Sequence, residues 1–143
     1  MTAPMVPTRG ERNNNPCNLR DFGIIWDGLD EPPHDGDGYC RFASAMAGIR
    51  AGARDLHTKW ARGLSTVRQI ISVFAPPSEN ATGAYVNDVA ARLGLGPDDP
   101  VDLADAEALQ EFVTAVIFHE NGRCAYASTL IRAATASALT HSA

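Results

Sequence analysis

The chain has 143 residues and a net charge of −5, with 45% of its residues hydrophobic and 20% charged. That length and composition are ordinary for one soluble globular domain with a substantial core. The acidic balance, with no basic runs, argues against nucleic acid as a partner, and no apolar stretch approaches the roughly 20 residues of a membrane-spanning helix.

The first 42 residues favour irregular structure. We expect residues 1–8 to form a flexible arm and residues 9–143 to form a single domain. Asn, Pro, Gly and Asp dominate positions 9–42, which predicts turns, with a short hairpin pairing positions 24–26 with positions 39–42. The start "MTAPMVPTRGER" lacks the apolar core of a secretion signal, so we expect synthesis in the cytoplasm without a signal peptide.

From Ala43 onward the pattern predicts helices. Apolar residues at spacings of three and four predict a first helix that ends at Gly63. Ser65 is the expected cap of a second helix, "TVRQIISVF", which the following proline pair stops. Thr82 is the expected cap of a third helix, which stops at Gly94.

Two more helices complete the predicted fold. Asp102 or Asp105 opens a helix that runs to Glu120, and the Ala-rich stretch "YASTLIRAATASAL" forms the last one. The fold class that follows is mainly α, a compact helical domain with a loop-rich N-terminal lobe that includes the hairpin.

Glu120 is the first candidate for chemistry. A helical wheel of "FVTAVIFHENGR" places Glu120 near the middle of the apolar face, and Gly122 is a natural left-handed stop. Apolar neighbours and the negative end of the helix dipole both favour the protonated carboxyl, as a general acid requires. The alternative is an ordinary carboxylate at the rim of the core that reaches water.

Four stretches together resemble a known family. They are "RGERNNNPCNLR", "DGYCRFASAMAGIRAGARDL", "TVRQIISVFAPPSENATGAYVNDVAARLG" and "FVTAVIFHENG". In this order they resemble small phage and prophage proteins described as virion or structural proteins and as endolysins. Cys17 stands where that family usually has Gly, so a positive φ there would cost about 1 kcal/mol. Phe74 stands where Trp is common.

The resemblance points to peptidoglycan as the partner. "NNNPCNLRDFG" is similar to an Asn-rich element of bacterial cell-wall glucosaminidases, and "VIFHENG" resembles the end of the catalytic helix in goose-type lysozymes and lytic transglycosylases. Here the order of the two elements is reversed, which implies a circularly permuted lysozyme-like fold. The implied protein is a monomeric glycosidase without cofactor or metal, acting in the periplasm or cell wall after delivery by a holin, virion or secretion apparatus.

The same resemblance leaves other biological settings open. One alternative is a non-enzymatic virion structural or wall-binding protein that keeps the fold. Another is a secreted antibacterial muramidase effector that keeps the chemistry.

The second group of such an enzyme is open among several carboxylates. Asp35 and Asp37 lie in the "HDGDG" turn, where a solvated carboxylate can activate water, although an ordinary polar turn is the simpler interpretation. Glu79 and its neighbour Asn80 are further candidates for substrate contact, with helix capping as their alternative. Without a nearby second carboxylate, lytic transglycosylase chemistry with an anhydro product is favoured.

Neutral polar and aromatic residues are candidates for sugar binding. Asn15 and Asn18 offer amides suited to N-acetyl and hydroxyl groups, with loop stabilisation as the alternative. Tyr85, Trp26 and Tyr126 are candidate walls of a groove, with the core as the alternative for the first two.

The three cysteines show no metal-binding spacing, so unpaired thiols are expected for Cys17, Cys40 and Cys124. If the permuted fold brings the two ends of the site together, a disulfide between Cys17 and Cys124 is an alternative in an oxidising periplasm.

Overall fold

The computed structural model describes residues 5–78 and 80–140. Within them lie six helices and one two-stranded antiparallel sheet, which confirms the predicted mainly α class. The elements are α1 Arg9–Arg12, β1 Leu29–His34, β2 Cys40–Phe42, α2 Ala45–Ala61, α3 Val67–Phe74, α4 Thr82–Leu93, α5 Ala106–Asn121 and α6 Ser128–Thr140. No helix of this described part is long and apolar enough to cross a membrane.

Helix α2 lies at the centre of the core. It packs against α3, α5 and α6, and α4 packs against α3 and α5. Two glycines let the N-terminal loop approach α2 closely: a Cβ on Gly48 would lie 1.6 Å from the Asn14 carbonyl oxygen, and one on Gly52 would lie 2.6 Å from Cys17 Sγ. The loop-rich lobe is therefore seated directly on the central helix.

Helix α5 has the apolar face that its sequence predicts. Asp105 caps it by accepting a hydrogen bond from the Ala108 amide, and Gly122 ends it in the left-handed region with φ 71°. The predicted face is buried throughout, with five side chains at 0% exposure: Leu109, Phe112, Val113, Val116 and Ile117.

Two predicted helix caps are wrong by one residue. Thr66, not Ser65, caps α3, because its hydroxyl accepts from the Gln69 amide while the Gln69 side chain accepts from the Thr66 amide. Thr82 is the first residue of α4, not its cap, because its hydroxyl donates instead to the Ala75 carbonyl at 2.7 Å.

The N-terminal lobe differs most from the prediction. The chain forms the single-turn helix α1, capped by Thr8 and Glu11, where irregular structure was expected. The hairpin exists, but its first strand is Leu29–His34 and not positions 24–26. The sequence "LDEPPH" disfavours a strand because proline lacks a backbone donor, whereas the apolar residues Ile24 and Ile25 are exposed.

Candidate functional site

Glu120 lies in the last turn of α5 and is partly exposed. Asn18, in the loop after α1, donates from Nδ2 to Glu120 Oε1 at 2.8 Å. The backbone of Asn18 has φ 51°, in the left-handed region that Asn tolerates better than other side chains. A strained loop residue thus orients the carboxylate.

Tyr85 lies behind this carboxylate. Its side chain is 1% exposed, and burial raises the pKa of its phenol, with the neighbouring Glu120 carboxylate raising it further. Among the described residues no well-aligned hydrogen bond reaches Tyr85 Oη, although the hydroxyl lies beside Glu120. Tyr85 is therefore a neutral, buried phenol at the back of the site, which corrects its assignment as a groove wall and agrees with the alternative of a core residue.

The ring of His119 packs against the ring of Tyr85. The two rings lie 3.8 Å apart between centroids, and His119 Nδ1 lies 2.8 Å from Asp88 Oδ2. The hydrogen bond with His119 lowers the pKa of Asp88, helped by Arg92. This arrangement agrees with the expectation that His119 is a packing and hydrogen-bonding neighbour.

A pocket of about 340 Å³ opens in front of Glu120. This volume is in the range of small-molecule sites. Its polar wall consists of Asn18, Asp55, Lys59, Asn80 and Glu120. The rest of the wall includes basic, aromatic and apolar residues: Arg9, Cys17, Leu19, Arg20, Phe22, Ile24, Trp26, Tyr39, Val73, Phe74, Ala75 and Pro76.

Neither Asp35 nor Asp37 lines this pocket, so its geometry lends no support to a catalytic role for them. Asp35 instead holds its turn together: Oδ1 accepts from the amides of Asp37 and Tyr39, and Oδ2 accepts from Asn13. Burial opposes ionisation of Asp35, but these hydrogen bonds outweigh it and lower its pKa. The polar-turn interpretation is the one that the structure supports.

Asn15 is also a structural residue, which corrects its assignment to substrate. Its side chain is 0% exposed, and its amide donates to the carbonyls of Leu19 and Cys40 while accepting from the Leu19 amide. Its hydrogen bonds tie the loop after α1 to β2. Of the two asparagines proposed for sugar contact in this loop, Asn18 reaches the pocket.

The expected strain at Cys17 is absent. Among the described non-glycine residues, positive φ occurs at Asn14 and Asn18 and not at Cys17. Cys17 is 1% exposed and packs into the main core against α2. The left-handed positions of this loop are therefore occupied by asparagines, which carry the conformation at lower cost than Cys would.

Comparison with known proteins shows that the chain is similar to a phage protein. No protein-family model matches the chain. The chain is 37% identical over 122 residues to Protein P5 of Pseudoalteromonas phage PM2, an alignment that covers 82% of this chain and 74% of the relative. The chain belongs to the Protein P5 family. The phage part of the resemblance seen in the sequence is thereby shown.

The remaining predicted residues of this P5-family chain lie in different surroundings. Asn80 lines the pocket, and Trp26 both lines it and belongs to a second, smaller core cluster. Tyr126 is half-buried and packs against the main core away from this pocket wall. Glu79 lies outside the residues that the structure describes.

Several pocket residues of the P5-family chain were not found by sequence reasoning. Asp55 and Lys59 form a helical pair four residues apart, a spacing typical of an exposed helix face. Phe22 and Ile24 are 79% and 47% exposed, and their turn-rich surroundings gave no signal of a binding wall. The only available signal for Asp55 was its place in the stretch "GIRAGARDL" that carries the family resemblance.

The three cysteines of the P5-family chain are free thiols in the structure, so the alternative disulfide between Cys17 and Cys124 is not formed. Burial raises the pKa of the Cys17 thiol, and the carboxylates of Glu120 and Asp55 raise it further. Within the described part of the chain, no three potential metal ligands cluster.

Proposed function

We propose that this P5-family protein cleaves the β-1,4 glycan backbone of peptidoglycan, with Glu120 as the general acid. The observation that supports this most is a partly buried carboxylate at the end of an apolar helix, oriented by Asn18 and facing a pocket. A general acid needs such a fixed position within reach of the leaving oxygen.

The surroundings of Glu120 also suit a polar sugar chain. Asn80 offers an amide group in the pocket wall beside Asn18, and Phe22 and Phe74 offer aromatic rings. Sugar rings combine hydroxyl groups with apolar faces, so a pocket with both kinds of wall fits them. The loop with the asparagines lies beside the end of the acid-bearing helix, as a permuted lysozyme-like fold requires.

The biological setting that we propose is a phage endolysin or a virion-associated lysin. The protein would be made in the host cytoplasm and would reach the periplasm or cell wall through a holin or with the virion. Mass spectrometry of purified virions would separate the two, because a virion lysin is present in the particle and an endolysin is not.

The test is a digest of purified sacculi. Wild-type protein is expected to release soluble muropeptides, and Glu120→Gln is expected to release at least 100-fold less, in keeping with loss of general acid catalysis. Glu111→Gln is the matched control, because Glu111 is an exposed carboxylate on the same helix. Mass spectrometry of the products identifies the bond that is cut.

A non-enzymatic wall-binding virion protein is the competing proposal, and the same digest separates it. Such a protein would co-sediment with sacculi and release no product from any variant. Folded wild-type protein that binds sacculi without releasing muropeptides would therefore overturn the enzymatic proposal.

A further inference from the structure

A second carboxylate lines the pocket that contains Glu120. Asp55 lies on α2, and Lys59 one turn later places Nζ 3.0 Å from Asp55 Oδ1 and 2.9 Å from Oδ2. Both side chains are 19% exposed. The pocket therefore holds an acid from α5 and an ion-paired acid from α2.

The loop after α1 brings these two acids to the same place. Asn18 donates to Glu120 on α5. The preceding residue, Cys17, packs its sulfur against Gly52, which lies one turn before Asp55 on α2. Both carboxylates act on the Cys17 thiol electrostatically. Glu120, Asp55 and the Cys17–Asn18 dipeptide therefore line the same pocket.

The burial of the Asp55–Lys59 pair distinguishes it from another helical pair of the same spacing in the described part of the chain. In the Arg92–Asp88 pair the side chains are 40% and 34% exposed, against 19% for each partner here. Transferring two charges out of water costs free energy, and their mutual attraction offsets only part of that cost. A gain in stability is therefore a weak explanation for such a pair. The place of Asp55 and Lys59 in the pocket wall is the observation that favours a role in binding or chemistry.

We infer that Asp55 is the second catalytic carboxylate and that the reaction is hydrolysis, an inference that rests on the proposed function. Glu120 donates its proton to the leaving glycosidic oxygen, which departs with the electron pair of the broken C1–O bond. A water oxygen forms the new bond to C1, and Asp55 accepts the proton that this water loses. Glu120 then regains a proton from solvent and Asp55 releases one, so each cleavage consumes one water.

Lys59 is a positioning residue in this scheme. Its ammonium holds both oxygens of Asp55 and fixes the direction of the carboxylate. Hydrolysis by water leaves a reducing sugar at the new end. An anhydro end would require the sugar's own 6-hydroxyl as the nucleophile, and no water would then lose a proton to Asp55.

The experiment compares sacculus digestion by wild type, Asp55→Asn, Asp55→Ala and Asp98→Asn in ¹⁸O-labelled water. Asp98→Asn is the matched control, since it also breaks an ion pair, with Arg68, but at an exposed site outside this pocket wall. We expect Asp55→Asn to lose about 100-fold or more in rate, as for other acid–base groups, and the control to keep its rate. Wild-type products should carry one ¹⁸O at each new reducing end.

Chemical rescue separates a catalytic role from a structural one. Added formate, a small carboxylate base, should restore part of the rate of Asp55→Ala and none of the rate of Glu120→Gln. If Asp55→Ala does not fold, the near-isosteric Asp55→Asn carries the test alone, with its fold checked by thermal unfolding.

The outcomes separate this inference from the proposed function. If Glu120→Gln is inactive while Asp55→Asn keeps its rate within about threefold, or if the products have anhydro ends, the role of Asp55 is wrong and glycan cleavage stands. If folded wild-type protein releases nothing, both proposals fall together.

Discussion

Asn18 Nδ2 lies 2.8 Å from Glu120 Oε1, a hydrogen bond between residues 102 positions apart in the chain. It joins the loop after α1 to the last turn of α5. Asn18 makes this contact from a left-handed backbone with φ 51°. The amide side chain of Asn18 therefore acts on Glu120, whereas its left-handed backbone affects stability. Two substitutions can separate these contributions.

Asn18→Gly and Asn18→Ala both remove the amide, but only Ala also opposes the left-handed backbone. We expect Asn18→Ala to be about 1 kcal/mol less stable than Asn18→Gly in urea unfolding. Both should lower the rate of sacculus digestion by a similar factor, because both lose the donor to Glu120. Equal stability of the two variants would contradict the backbone argument.

Tyr85→Phe tests the buried phenol behind Glu120. Its hydroxyl has no well-aligned partner in the described structure, so we expect its removal to leave the free energy of unfolding at pH 7 unchanged or slightly higher. Tyr85→Ala should instead cost about 3–5 kcal/mol, as deletion of a buried aromatic ring does. Urea unfolding of the three proteins at pH 7 measures both effects.

Tyr85→Phe also tests how the free energy of unfolding changes at high pH. Burial raises the pKa of Tyr85 above its unfolded value, so folding favours the neutral phenol. That contribution is complete below the unfolded pKa near 10 and is lost as the pH rises toward the folded pKa. We expect wild type to lose stability relative to Tyr85→Phe from about pH 10 upward, by up to about 1.4 kcal/mol per pH unit. Parallel stability curves through pH 11 would rule this out.

Glu11 and Arg123 provide the corresponding test at low pH. Burial raises the pKa of Glu11, but hydrogen bonds from Thr8 and Arg123 outweigh this and hold its pKa below the usual value of 4.5. The ion pair joins α1 to the segment after α5, with Arg123 Nε 3.0 Å from Glu11 Oε2.

Because the folded pKa of Glu11 is lowered, its stabilisation is present above about pH 4.5 and is lost as the pH falls through the folded value. We expect Glu11→Gln to be less stable than wild type at pH 7 by about 1–3 kcal/mol. The difference should shrink below pH 4. Urea unfolding between pH 3 and pH 7 measures it, and a difference that stays constant over this range would show that the carboxylate charge is not responsible.

The helical half of this molecule could be predicted from sequence because each helix contains its own signals. Helix α5 has a cap at Asp105, an apolar face and a glycine stop, all within one segment. Most of the N-terminal lobe lacks such local signals, apart from the capping box that Thr8 and Glu11 form at α1. It is held by bonds between distant segments, such as Asn15 to the Cys40 carbonyl and the Phe42 amide to the Asn13 carbonyl.

The candidate site likewise contains residues with a local sequence signal and residues without one. Glu120 could be found because its helix ends on a carboxylate in an apolar face. Asp55 was not found, because a pair with Lys59 four residues later has the pattern of any exposed helix, and its place in "GIRAGARDL" indicated only the family resemblance. Other segments pack around α2 and partly bury the Asp55–Lys59 pair. The residues of α2 alone do not indicate this burial.

Gly48 and Gly52 test how the N-terminal loop is seated on α2. A Cβ at position 48 would meet the Asn14 carbonyl oxygen at 1.6 Å, which is backbone, whereas a Cβ at position 52 would meet the Cys17 sulfur at 2.6 Å. A side chain can give way or be removed, but the loop backbone can move only by losing its contacts with α2. We therefore expect Gly48→Ala to destabilise more than Gly52→Ala, whose cost should be about 1–3 kcal/mol, as for other overpacked sites.

A second substitution makes the distinction sharp. Cys17→Gly removes both the sulfur and the Cβ that an added methyl at position 52 would meet. The double variant Gly52→Ala with Cys17→Gly should therefore be more stable than the sum of the two single effects predicts. Cys17→Gly combined with Gly48→Ala should show a smaller coupling energy, because the atoms that an added methyl at position 48 would meet belong to Asn14 and Phe42. Urea unfolding of the single and double variants gives both coupling energies. Equal coupling in the two pairs would mean that Cys17 is not the residue that limits the space at Gly52.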